Sequence, residues 1–256
     1  MGWLHAGHVS LVEQARSESA TVVMSIFVNP TQFGEAADFE RYPRNQARDL
    51  ERADAAGVDL VFAPSVDEVY PPGFDTTVSV GAIAGPLEGA ARPGHFDGVA
   101  TVVAILFALV GAERAYFGLK DYQQVRVIRR MALDLALPTT VVPCPTVREP
   151  DGLAMSSRNA RLTPEGRSAA PVLRRALLAG AEAVRAGESD ATVVRGVMRD
   201  ILATEPAATT DYVSVADADS LAELDAIPRD ALLSLAVRID GVRLIDNERV
   251  VPDGSS

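Results

Sequence analysis

Thr21–Val28 (TVVMSIFV) is a nearly continuous apolar, β-branched run, and it narrows the fold more than any other stretch. A strand buried on both faces of a parallel sheet reads this way. Residues 9–15 before it read as a helix, Arg44–Ala56 after it as another, and Val58–Phe62 as the next strand. That is a βαβ rhythm. It returns in the apolar helix Gly98–Gly111, the strand Arg114–Phe117, the helix Val125–Leu137 and the strand Thr139–Pro143. Residues 64–97 interrupt it with Pro64, Pro71, Pro72, Pro86 and Pro93, and a loop region of that length is usually functional. After about residue 147 the order changes to helices over Pro164–Gly187 and Ala191–Glu205, then strands over Asp211–Val215, Leu232–Ile239 and Arg243–Ile245. The expectation is an α/β chain of two domains, residues 1–147 around a parallel sheet and residues 148–256 a smaller α+β domain.

The residues suited to chemistry fall at the element junctions. His5-Ala6-Gly7-His8 leads into the first helix. Imidazoles three apart share one face of a helical turn, free backbone N–H groups point out of that end, and the dipole there favours anions. Gly7 lets a phosphate approach the backbone. A pair of surface histidines or half of a metal site is the plainer alternative. The chain has one lysine, Lys120, beside 23 arginines, so that position asks for a compact, flexible ammonium. Lys120 sits where the strand Arg114–Phe117 gives way to a helix, and Asp121 would make a good N-cap there. Asn29–Gly34 leaves a strand at its carboxyl end, where open α/β sheets bind ligands. Arg92 and His95 lie in the irregular segment. The loop from Arg148 to Asn159 offers serine hydroxyls and Arg158 for wrapping a polyphosphate.

Composition excludes several classes. A net charge of −11 argues against a nucleic-acid partner, so any phosphate must be held by a few chosen groups. The longest charge-free apolar run, Val99–Val110, is 12 residues, too short to span a bilayer. The single cysteine, Cys144, excludes an internal disulfide and fits a reducing cytoplasm.

With HAGH, VNPTQFG, RPGHF, KDYQQ, PTVRE and LAMSSRN in one order over residues 1 to about 165, the chain resembles the pantoate–β-alanine ligase family. Farther on, DYVSVAD and RLIDN carry the likeness. The resemblance implies a Rossmann-like parallel sheet of the HIGH/KMSKS nucleotidyltransferase type. His5–His8 stands for the first signature and Met155–Arg158 for a variant of the second. It implies ATP-dependent joining of pantoate to β-alanine through a pantoyl-adenylate, with Mg²⁺, in a cytoplasmic homodimer without membrane or nucleic-acid partners. The catalytic groups would be His8, as proton donor, with His5 and Lys120. The ATP site would comprise Met1, Gly2, His5, Gly7, His8, Gly118, Lys120, Asp121, Val147, Met155, Ser156, Ser157 and Arg158. Gln32 and Gln124 would hold pantoate, Gln32 would also face β-alanine, and no protein metal ligand is assigned. An adenylyltransferase acting on another acid, or an inactive truncated remnant, are the rival readings.

The chain departs from the family at Leu119, which stands where Glu is general, and at Trp3 and Ala6, where residues are usually small and acidic respectively. The family also carries a strand and a Pro-Thr pair before the position of Met1. The expectation is that the strand leading into the first helix is missing. That would leave a slot between Thr21–Val28 and Arg114–Phe117 of two strand spacings, roughly 9–10 Å. A protein starting at Met1 would then fold poorly, and a longer one would be soluble and active.

Overall fold

The computed structural model describes residues 2–33 and 39–251. The chain divides into two compact units, Met1–Val147 and Arg148–Ser256. The first contains α1 (Ala6–Glu18), β1 (Val23–Ser25), α2 (Gln46–Ala55), β2 (Leu60–Phe62), α3 (His95–Val110), β3 (Arg114–Gly118), α4 (Tyr122–Asp134) and β4 (Thr140–Cys144). Two parallel pairs result: β1 runs beside β2 with Val23 opposite Leu60, and β3 beside β4 with Arg114 opposite Thr140. Each pair is joined by a crossover containing a helix, as parallel strands require.

The pairs are separate two-stranded sheets. β1 is also shorter than the apolar run suggested and is buried only in part: Met24 is covered, whereas Val23 is 37% exposed. The apolar pattern records more burial than a strand paired along one side receives. Residues 64–97 are less irregular than expected, with helical turns at Val66–Val69, Ala82–Ala84 and Glu88–Ala91. His95 already belongs to α3, because Gly94 takes the left-handed conformation that starts this helix.

Two apolar clusters form this unit's interior. Leu4, Val12, Ala15, Val22, Met24 and Ala53 join α1, β1 and α2, with Tyr116 of β3 packed alongside. Phe96, Val99, Val103, Phe107, Val127, Ile128 and Met131 join α3 to α4. Arg16 closes the far end of α1, donating to the Ala20 and Gly57 carbonyls. Glu18 accepts from Arg114 and Tyr116 of β3. These contacts fix which way the N-terminal end of α1 faces.

The second unit holds α5 (Pro164–Ala169), α6 (Val172–Arg185), α7 (Ala191–Ala203) and the antiparallel sheet β5 (Thr209–Asp217), β6 (Ala231–Ile239), β7 (Val242–Val250). The expected single helix Pro164–Gly187 is two helices. Pro171 lacks the N–H that would continue the ladder, so the chain restarts there. Leu173, Leu177 and Val184 of α6 and Met198 of α7 pack with Val215, Leu233, Leu235 and Val237 of the sheet.

Candidate active site

The first helix turn is built by its own entry. Residues 2–4 approach α1 with Trp3 at φ 52°, a left-handed backbone that costs a non-glycine residue about 1–2 kcal/mol. Asp49 of α2 is buried, and its two oxygens accept the backbone N–H groups of Trp3 and Leu4, each at 2.7 Å. The Leu4 carbonyl accepts Arg52 at 2.7 Å and Arg48 at 3.1 Å. The Arg48 guanidinium also lies 4.3 Å from the Trp3 ring centroid.

His5 takes the N-cap position, and its carbonyl accepts the N–H groups of His8 and Val9. The two imidazoles stand together, ring centroids 4.0 Å apart. The His5 N–H donates to His8 Nδ1 at 3.3 Å, which assigns the His8 proton to Nε2 and leaves an N–H to donate elsewhere. His5 Nδ1 is buried with no hydrogen-bond partner among the described residues. Burial, reinforced by Lys120, Arg52 and Arg48, pushes His5 down to about 4. Burial and the neighbouring His5 likewise hold His8 well below its ordinary value. Both are neutral donors at pH 7.

Lys120 reaches the same neighbourhood from the other parallel pair. After β3 ends at Gly118, one 3-10 turn, Leu119–Asp121, leads into α4. The Lys120 side chain is 18% exposed, and its ammonium lies 3.7 Å from the Asp121 carboxylate. Its charge acts on both His5 and His8. The expected Asp121 cap is corrected: Asp121 is at the N-cap position but its side chain makes no capping bond.

Gln32 ends a 3-10 turn, Pro30–Gln32, gripped from three sides. Buried Asn29 donates to the Gly98 carbonyl at 3.0 Å and to Gln32 Oε1 at 3.3 Å, and accepts from Tyr70 at 2.8 Å. The Gln32 carbonyl accepts His95 Nδ1 at 2.8 Å and Arg92 at 2.9 Å. RPGHF therefore clamps the Gln32 peptide. Gly98 is required for this approach, since a Cβ there would lie 2.7 Å from the Thr31 backbone. Gln124 is half-buried in the first turn of α4. Its neighbour Gln123 is buried and spans the Ile83 and Pro86 carbonyls and the Glu88 N–H. Sequence reasoning missed Asn29, Asp49, Tyr70 and Gln123. A carboxylate one turn before Ala53 on the apolar side of α2 was the available signal for Asp49.

Of the remaining expected residues, Met1 lies outside those described, as does Gly34 at the end of the Asn29–Gly34 loop. Gly2 is buried, and a Cβ there would meet Val28 at 3.3 Å. Gly7 occupies the first turn of α1, and Val147 closes the first unit. In the second unit, residues 148–154 are a hairpin rather than an open loop. Glu149 and Leu153 pair, and Leu153 and Ala154 are buried. Met155 and Ser156 follow, with the Ser156 hydroxyl accepting the Arg158 N–H at 3.2 Å. Ser157 is buried and opens a 3-10 turn, Ser157–Arg161, that includes Arg158.

The family model described as "Pantoate-beta-alanine ligase" matches residues 1–249. The chain belongs to the pantoate–β-alanine ligase family. It is 61% identical to the pantothenate synthetase of Roseiflexus sp. (strain RS-1) over 247 residues, which covers 96% of this chain and 89% of that one. Against the pantothenate synthetase of Chloroflexus aurantiacus (strain ATCC 29366 / DSM 635 / J-10-fl) it is 62% identical over 248 residues, covering 96% and 88%. The solved pantothenate synthetase of Thermus thermophilus superposes with a TM-score of 0.95 at 51% identity, covering 98% of this chain and 91% of that one. The Francisella tularensis pantoate–β-alanine ligase, complexed with β,γ-ATP and β-alanine, gives 0.79 at 34%, covering 97% and 86%. The mixed architecture of parallel pairs and a small antiparallel sheet is that of these ligases.

The low histidine values set a pH dependence. Between the ordinary 6.5 and about 4, an unfolded chain takes up protons that folded His5 and His95 refuse, so stability falls as pH falls through that window. A polyanion beside His5 and His8 acts the opposite way, favouring the protonated rings. Binding of a polyphosphate such as ATP at that position near pH 6 should therefore be accompanied by proton uptake. Calorimetry in buffers of different ionisation enthalpy measures it. The uptake should shrink in His5→Ala and His8→Ala; an equal uptake in those variants would refute the link.

Proposed function

We propose that this ligase holds the phosphates of ATP with His5, His8 and Lys120 at the start of α1, and pantoate with Gln32 and Gln124. The overall reaction is that of its family: pantoate, β-alanine and ATP give pantothenate, AMP and pyrophosphate. A pantoate carboxylate oxygen attacks the α-phosphorus while the bond to the bridging oxygen breaks and pyrophosphate leaves. The β-alanine amine then attacks the acyl carbon of the pantoyl-adenylate, and AMP departs. Negative charge spreads over phosphoryl oxygens in the first step, where the His8 Nε2–H and the Lys120 ammonium are suited to stabilise it. Two amides can orient a hydroxyl and a carboxylate without adding charge that would repel ATP.

The observation that carries this reading is the convergence of two neutral imidazoles and one ammonium at a helix N-terminus. Gly2, Gly7, Gly118, Asp121 and Val147 are assigned to ATP with them, as are Met1, Met155, Ser156, Ser157 and Arg158. In this reading residues 1–147 bind ATP and pantoate, and residues 148–256 contribute the second signature of a HIGH/KMSKS nucleotidyltransferase. Among the described residues no cluster of three His, Cys, Asp or Glu could hold a metal ion. The nitrogen donors at the site suit phosphate better than a hard cation, while the Asp121 carboxylate beside Lys120 suits Mg²⁺. Mg²⁺ would ride chiefly on phosphate oxygens, with Asp121 available to it, and would neutralise their charge. A cytoplasmic homodimer completes the proposal. Among the described residues no helix is long and apolar enough to cross a membrane.

Pantoate-dependent exchange between pyrophosphate and ATP tests the assignment. Exchange supported by other acids and not by pantoate would refute it. A second measurement concerns Met155–Arg158. Amides of the 148–154 hairpin should resist hydrogen exchange with or without nucleotide, whereas residues 155–161 should gain protection when ATP is added. Unchanged protection there would remove that segment from the ATP site.

A further inference from the structure

Asp49 belongs to no part of the site assigned above, yet it is 1% exposed and both of its oxygens are committed to the backbone just ahead of His5. We infer that Asp49 is a positioning residue for catalysis: it holds Trp3 in the left-handed conformation that aims His5 and His8 at the ATP phosphates. The inference rests on the assignment of those two histidines to ATP.

The geometry makes the arrangement specific. Leu4 is fully buried, so the chain cannot swing about that residue to correct an error upstream. Trp3 at φ 52° is unfavourable for a side chain with a Cβ and persists only when its surroundings impose it. Three side chains of α2 do so. Asp49 takes both N–H groups, Arg48 and Arg52 take the Leu4 carbonyl, and Arg48 covers the indole. The Trp3 and Leu4 N–H groups and the Leu4 carbonyl are thereby each matched by a side chain of opposite character. His5 follows with extended backbone, and its N–H fixes the His8 ring through Nδ1. The chain of contacts from Asp49 to the His8 Nε2–H is continuous. Without the carboxylate, two N–H groups lose their acceptors and Trp3 can relax toward negative φ. That would turn both imidazoles away from the direction shared with Lys120.

Asp49→Asn is the discriminating variant. It keeps the shape, but its NH₂ must face one of the two N–H donors, so a pure packing role survives it and a double-acceptor role does not. We expect kcat/KM for ATP in pantoate-dependent exchange to fall roughly 30–100-fold, with the pantoate KM within about twofold of the parent. The chain has three histidines, so imidazole ¹⁵N spectra are easily assigned. The His5 and His8 signals should move while that of His95 stays. Adding Trp3→Gly should recover at least about fivefold of the loss, because glycine enters the left-handed region without strain. Unmoved His5 and His8 signals with exchange within about threefold of the parent would overturn the inference. So would a parallel loss toward ATP and pantoate, with a lowered thermal midpoint and no rescue by Trp3→Gly. His8→Ala is measured alongside. Should that variant retain exchange, the assignment of histidines to ATP fails, and the spectra still decide whether Asp49 positions them.

Discussion

Replacing Lys120 with Ala should lower pantoyl-adenylate formation by about 10²–10³-fold, the loss seen when one preplaced donor to a developing oxyanion is removed. Replacing it with Arg should restore little. His5 and His8 are kept neutral, and the fixed positive charge acting on His5 comes from Lys120, Arg52 and Arg48. Those two guanidiniums are engaged with the Leu4 carbonyl. An arginine in place of Lys120 would bring the same charge on a planar fork, too broad for a half-buried point contact at a 3-10 turn. Titration of His5 separates charge from shape. Lys120→Ala removes the second-largest influence holding His5 near 4, so its midpoint should rise, whereas Lys120→Arg should leave it low. An Arg variant with full pantoate-dependent exchange would show that the single lysine is accidental.

How much of this was legible beforehand depends on the range of the interaction. Helical spacing put His5 and His8 on one face, and the strand-to-helix junction put Lys120 in the turn between β3 and α4. Both are local rules, and the structure has the rings together at 4.0 Å. The role of RPGHF was not legible, because Arg92 and His95 act on a carbonyl some 60 residues earlier in the chain. Asp49 was hidden for the same reason, with partners 45 and 46 residues away. Adjacent Gln123 and Gln124 look alike in sequence. Gln123 is buried against the irregular segment and Gln124 is only half-buried, a difference in keeping with the rotation of about 100° between them around the helix axis. The apolar run at Thr21–Val28 overstated β1, since hydropathy reports the burial a residue can tolerate and not the neighbours it finds. Pro171 could have been read as a break; the apolar spacing continued through it and masked the restart.

The largest expected loss of stability lies in the second unit, at Asp246→Ala. Asp246 of β7 is 2% exposed at its side chain and accepts Arg148 through two nitrogens, at 2.7 and 3.0 Å. The same guanidinium donates to the Gly152 carbonyl at 3.1 Å, so it ties the 148–154 hairpin to the sheet. These residues come from PTVRE and RLIDN, motifs nearly a hundred positions apart, and their pairing anchors the hairpin that leads into the Met155–Arg158 segment. Truncating the carboxylate strands a largely buried guanidinium, which costs about 3–5 kcal/mol. A domain has about 5–15 kcal/mol in total, so the thermal midpoint of this unit should fall by more than about 10 °C. Removing both charges, as Arg148→Met with Asp246→Leu, should recover most of that stability, because the penalty belongs to the unpaired ion rather than to the lost bond. The recovered protein should still leave residues 155–161 less ordered in hydrogen exchange, since Met cannot hold the Gly152 carbonyl. A loss below about 1 kcal/mol in Asp246→Ala would mean that water reaches Arg148 and that the hairpin is held without the Asp246 ion pair.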